Sequence, residues 1–161
     1  MEQLVNKFMD RFEQNRITFF VNNWWRIPII KDKQEAIEQG IRSYLNGDFI
    51  VCIKTLYSEI EGIVRIAYYN EKGKDPTQND IIDYIVYKAK SKFVSLKSLG
   101  FPDIFFRYLK ETIFAVFDMG KGKLDFSRNT ALHGIAKPNE YTKAKALQAI
   151  LTIDQIYRYM S

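Results

Sequence analysis

Apolar residues recur every three to four positions along most of the chain, the spacing of helices that bury one face. Leu4, Val5, Phe8, Met9 and Phe12 predict a first amphipathic helix over about residues 2–14. The next stretch, from Phe19 to Ile30, holds Val21, the adjacent Trp24 and Trp25, Ile27, Pro28 and Ile29; it is β-prone and broken by proline, so it reads as irregular. Ala36, Ile37, Ile41, Tyr44 and Leu45 predict a helix over about 33–46, stopped near Asn46 and Gly47. Asp48 then caps a third helix to about Asn70, whose Ile53, Leu56, Tyr57, Ile60, Ile63, Val64 and Ala67 form one continuous stripe.

The polar run 71–77 reads as an exposed connection. Thr77 or Asn79 opens a fourth helix running through Ile81, Ile85 and Ala89 towards Phe93, Val94 and Leu96, closed by Gly100 and Pro102. A fifth helix from about Asp103 carries Phe105, Leu109, Ile113, Phe114, Val116 and Phe117. After a loop at Gly120–Asp125, Ser127 caps a short turn that Gly134 ends, and a last helix spans about Tyr141–Met160. The expected fold is all-α: an up-and-down bundle of about five to six helices, with no internal repeat.

At 161 residues with 47% hydrophobic content, the chain is large enough for one ordinary core. Residues 1–25 read as an N-terminal helix and lead-in, and 26–161 as the domain proper. The single cysteine, Cys52, excludes an internal disulfide framework, and with one histidine the usual Cys/His zinc sites cannot be assembled. No metal and no cofactor is expected. No run approaches 18 apolar residues, and the start lacks a signal core, so neither a membrane partner nor export is expected and the cytoplasm is the expected location. The net charge of +5 arises entirely within residues 71–145, a bias compatible with a polyanion or with a merely solubilising lysine surface.

The sole histidine lies in Ser127-Arg128-Asn129-Thr130-Ala131-Leu132-His133-Gly134. On a helical turn Asn129 and His133 share a face, about 40° apart, and the long Arg128 side chain can bend towards the same point. Imidazole titrates within the cellular pH range, guanidinium is a permanent cation with forked donors, and an amide can orient either. That set suits a phosphodiester, whose transition state gains negative charge. The same residues also suit a structural role, with Arg128 pairing with Glu61 or Asp125. Glu61, at the edge of the third helix's stripe, can reach Arg128 or His133, or stand in solvent. Trp24 and Trp25 beside Arg26 can stack on a base or cover one end of the core, and Lys88 and Lys92 can extend a basic strip.

Arg128-Asn129, three residues, then His133-Gly134, followed by Tyr141-Thr142 and Ala-Leu-x-x-Ile-Leu-x-x-Asp over Ala146–Asp154, resembles the signature turn and final helix of HEPN domains. Upstream, Arg26-Ile27-Pro28-Ile29-Ile30, Tyr44 to Phe49 and Ile60-Glu61-Gly62-Ile63 are similar to a pattern of prokaryotic HEPN proteins, so the resemblance covers about residues 26–160. It implies a helical homodimer with the turns of two protomers meeting in one cleft. It also implies a metal-independent endoribonuclease of the toxin or phage-defence type, with RNA as substrate and an antitoxin or activating partner. His133 would take the ribose 2′-hydroxyl proton, leaving a 2′,3′-cyclic phosphate; Arg128 would hold the phosphate, Asn129 would orient one of them, and Glu61 would support the site. Lys121, Lys123 and Lys137 flank the turn and could grip the RNA backbone, or be solvated loop residues. The alternative is a non-catalytic HEPN-like module that binds nucleotide, RNA or protein, possibly as part of a larger effector.

Overall fold

The computed structural model describes residues 14–92, 101–115 and 126–161. The helix expected over 2–14 lies almost wholly outside them, as do the stretch from Phe93 to Leu96, Val116 with Phe117, and the Gly120–Asp125 loop. The described residues are predominantly helical and contain no strand. The helices are α1 (Gln14–Trp24), α2 (Pro28–Lys31), α3 (Gln34–Leu45), α4 (Phe49–Lys72), α5 (Gln78–Lys92), α6 (Phe101–Tyr108), α7 (Arg128–Leu132) and α8 (Lys143–Met160). A π-helical turn, Leu109–Ile113, extends α6, and a 3₁₀ turn, Pro138–Glu140, precedes α8. The all-α expectation therefore holds. No described helix is long and apolar enough to cross a membrane.

α4 is the central helix. Cys52, Ile53, Leu56, Tyr57, Ile60, Ile63, Val64, Ala67 and Tyr68 bury one face of it against α3, α5, α7 and α8. Its start is fixed by Asp48, whose carboxylate accepts from the Val51 amide at 3.3 Å, and its end by Gly73 at φ 70°, a left-handed position where glycine is favoured. α8 lies alongside, with Ala146, Ala149, Ile150, Ile153 and Ile156 inward and the Thr142 hydroxyl accepting from Lys145 N at its start.

The segment expected to be irregular is instead α1 followed by α2. Ile17, Val21 and Trp24 recur at helical spacing and are buried against α8. The weak helix preference of Phe, Val and Thr costs about 0.5 kcal/mol per residue, whereas burying an apolar side chain returns about 1.5–3 kcal/mol, so packing decides. Trp24 Nε1 donates to Asp154 Oδ1 at 3.0 Å, a bond spanning 130 residues. That places Trp24 in the core, with Trp25 half-buried and edge-on to it. Pro28 sits in the first turn of α2, where its missing N–H costs nothing.

Candidate active site

α7 owes its existence to local bonding. Ser127 Oγ accepts from the Thr130 amide at 3.3 Å while Thr130 Oγ1 accepts from the Ser127 amide at 2.8 Å, a reciprocal cap on a helix of only five residues. Gly134, at φ 73°, then reverses the chain so that Ile135 N and Ala136 N both return to the Thr130 carbonyl. Tyr141 Oη donates to the Ala131 carbonyl at 3.1 Å, tying the turn to the approach of α8.

The first residue of this helix points inward. Arg128 is ion-paired with Glu61 of α4, donates to Asn129 Oδ1 at 2.7 Å, and lies with its guanidinium carbon 5.3 Å from the centre of the Phe114 ring. Only 11% of its side chain is exposed, and its buried Nε has no acceptor among the described residues. Glu61 is shared: its other oxygen accepts from Arg65 at 3.0 Å, and Arg65 also holds Asp75 Oδ1 at 2.7 Å and the Pro76 carbonyl at 3.0 Å. The two guanidiniums shift in opposite directions despite their common carboxylate. Burial pushes Arg128 below the ordinary arginine value against the pull of Glu61, whereas bonds to Glu61 and Asp75 raise the more exposed Arg65.

Asn129 is buried and its Nδ2 donates to the Ala115 carbonyl at 2.9 Å. Ala115 is delivered by the π-turn, in which Phe114 N bonds back to the Leu109 carbonyl at 2.7 Å. His133 stands at the other end of α7, as its exposed C-cap, with its amide on the Asn129 carbonyl at 3.0 Å.

The structure thus brings together Arg128, Asn129 and Glu61, while His133 stands exposed at the opposite end of the same short helix. On ideal helical geometry five residues turn through about 500°, so positions 128 and 133 leave the axis about 140° apart. The Arg128 side chain does not bend back across that angle, because Glu61 and the Phe114 face hold it at α4. Lys137 is exposed, with its backbone amide on Glu140 Oε2 at 2.6 Å; Lys121 and Lys123 lie outside the described residues. Lys88 is paired with Glu71 at 2.6 Å and Lys92 donates to Ser161 Oγ at 3.1 Å.

Sequence reasoning missed Arg65, although its place four residues after Glu61 on one helix face was a legible signal. It also missed a cationic and aromatic cluster beside the turn. Lys145 Nζ lies 3.8 Å from the Phe126 ring centre, Phe126 meets Tyr141 edge-on at 5.2 Å, and Lys54 Nζ is 5.9 Å from the Tyr141 ring centre. Burial lowers the Lys145 pKa, with Glu140 opposing. Nothing in the linear spacing of residues 54, 126, 141 and 145 announces this meeting of α4 and α8.

No protein-family model, curated protein or solved structure matches the chain. Among the described residues no three His, Cys, Asp or Glu side chains are grouped to hold a metal ion.

Proposed function

We propose that the protein is a metal-independent endoribonuclease of the HEPN type, acting as a homodimer in which the α7 turns of two copies face one RNA strand. The observation that carries this reading is the division of labour on α7. One end holds a desolvated, permanently charged arginine in a fixed frame, and the other presents the only imidazole of the chain to solvent. Within one copy these groups sit at opposite ends of α7, and a second copy related by two-fold symmetry would bring its own imidazole to the same strand.

In the proposed reaction His133 removes the proton from a ribose 2′-hydroxyl. The 2′-oxygen attacks the adjacent phosphorus, the bond to the 5′-oxygen breaks, and that oxygen takes a proton from the imidazolium. The products are a 2′,3′-cyclic phosphate and a 5′-hydroxyl. Arg128 exchanges the Glu61 carboxylate for phosphoryl oxygens, and Glu61 keeps Arg65 as a counterion, so the exchange strands no carboxylate. Asn129 steers the guanidinium through its 2.7 Å bond. Lys54, Lys137 and Lys145 supply charge for the strand on either side.

The test is incubation of end-labelled RNA with wild type, His133→Ala and Arg128→Ala in EDTA. Cleavage to cyclic-phosphate termini, lost in both variants, is the expected result; cleavage that survives His133→Ala contradicts the proposal. The burial of the Arg128–Glu61 pair also favours a second reading, a non-catalytic RNA- or nucleotide-binding module in which Arg128 only braces α7 against α4. That reading predicts bound but intact RNA.

A further inference from the structure

Two guanidiniums compete for Glu61. Its Oε2 is ion-paired with Arg128, and its Oε1 accepts from Arg65 Nη2 at 3.0 Å, four residues along the same helix. Arg65 is itself divided, since its Nη1 also donates to Asp75 Oδ1 at 2.7 Å and to the Pro76 carbonyl at 3.0 Å. One anion therefore stands between two cations, and each cation draws it away from the other.

The pair at Arg128 is an incomplete one. A guanidinium binds an oxyanion best through two parallel N–H donors meeting two oxygens. Glu61 gives Arg128 a single oxygen, because Arg65 holds the other. The second arm of the fork goes to the neutral Asn129 Oδ1, and the buried Nε has no acceptor among the described residues.

A phosphoryl group carries two or more oxygens and can meet two of those donors at once. It competes with Glu61 for one guanidinium, and Arg65 stands ready for the carboxylate it displaces. The strength of the resident pair thus sets how readily Arg128 accepts an outside anion, and Arg65 sets the strength of the resident pair.

We infer that Glu61 is an autoinhibitory anion, occupying Arg128 in place of a phosphoryl group, and that Arg65 is the positioning residue that weakens its hold. The inference rests on the reading in which Arg128 meets an RNA phosphate and adds a regulation of that site. Neutralising Glu61 frees the guanidinium. Removing Arg65 leaves the carboxylate to Arg128 alone and tightens the latch. The two groups bonded to each other therefore act on anion binding with opposite signs. A network that only braces α7 against α4 gives effects of one sign, since losing either member loosens it.

A 2′-O-methyl oligonucleotide, which carries phosphates but no attacking hydroxyl, tests this through its Kd for the full chain, read by fluorescence anisotropy in EDTA. Glu61→Gln should bind about tenfold tighter than wild type, the scale of one charge-assisted hydrogen bond. Arg65→Gln should bind several-fold weaker, and Arg65→Lys should return towards wild type. Each charge change is matched by Glu38→Gln and Arg42→Gln, a surface pair on α3, which should stay within about twofold of wild type. In the Glu61→Gln background, Arg65→Gln should do no more than Arg42→Gln does. Far-UV circular dichroism verifies folding, and Arg65→Gln leaves the Glu61–Arg128 pair in place, so the test stands even where Glu61→Gln unfolds. Glu61→Gln no tighter than Glu38→Gln, Arg65→Gln no weaker than Arg42→Gln, or no binding by any of the proteins overturns the latch. Cleavage of unmodified RNA in EDTA separates the two claims. Cleavage with these affinities unmoved removes the latch and leaves the nuclease, while opposite shifts without cleavage remove the nuclease and leave a latched anion site.

Discussion

Deleting the carboxylate that α4 offers to α7 tests the electrostatic frame of the site. In Glu61→Ala the Arg128 guanidinium, 11% exposed, keeps only the neutral Asn129 oxygen and the Phe114 face. Breaking a fully buried pair by removing one partner costs about 3–5 kcal/mol, and a fully exposed pair is worth at most about 1 kcal/mol. Glu61 is 25% exposed, so this pair lies between the limits. A loss of about 2 kcal/mol follows, or about 4–8 °C in Tm for a chain of this length. Arg128→Met should cost less, about 1 kcal/mol, because Glu61 then retains Arg65 and no charge is stranded. The double variant should be more stable than Glu61→Ala alone. Urea unfolding of the four proteins, followed by circular dichroism, gives the cycle. A Glu61→Ala loss under about 0.5 kcal/mol, or a larger loss for Arg128→Met than for Glu61→Ala, refutes the reasoning.

Ser127→Ala removes the side-chain cap of α7 and should cost about 1 kcal/mol, with hydrogen exchange accelerating at the Ala131 and His133 amides before the α4 amides respond. Gly40→Ala gains about 1 kcal/mol in helix preference, but its Cβ would stand 2.7 Å from Leu56 Cδ2 in the packed α3–α4 contact; the clash, about 1–3 kcal/mol, should win and lower the urea midpoint. Glu71 is held at about 2 by bonds from Lys88, Tyr84 and Lys72, below the ordinary 4.5. A depressed carboxylate stabilises the fold fully above its unfolded value and loses that contribution as pH falls from about 4.5 towards 2. Glu71→Gln should therefore lower stability at pH 7 and flatten the acid limb in that window, in thermal melts taken from pH 7 to 2.

Legibility in the sequence followed the range of the forces involved. α3, α4 and α8 were readable because their stripes and caps are local: Asp48 and Gly73 bound α4, and Gly47 ends α3 at φ 80°. α1 was not, because its helical state depends on α8 and on the Trp24–Asp154 bond rather than on the preferences of Phe19, Phe20 and Val21. At the site, Glu61, Arg128 and Asn129 were foreseeable as a group, since residue type and spacing restrict what a buried guanidinium can do. Arg128 turning to Glu61 was one of the pairings open to it; its seat on an aromatic face was not foreseeable. That depends on Phe114 and on the Ala115 carbonyl, which the π-turn puts in place. Lys145 over Phe126 is likewise a product of packing between elements distant in sequence.

The nuclease function proposed for α7 is tested most directly by the termini the protein leaves on a labelled RNA in chelator. It predicts 2′,3′-cyclic phosphate and 5′-hydroxyl ends with wild type and none with His133→Ala. RNA that wild type binds yet leaves uncut, or fragments of equal yield from the variant, contradicts it.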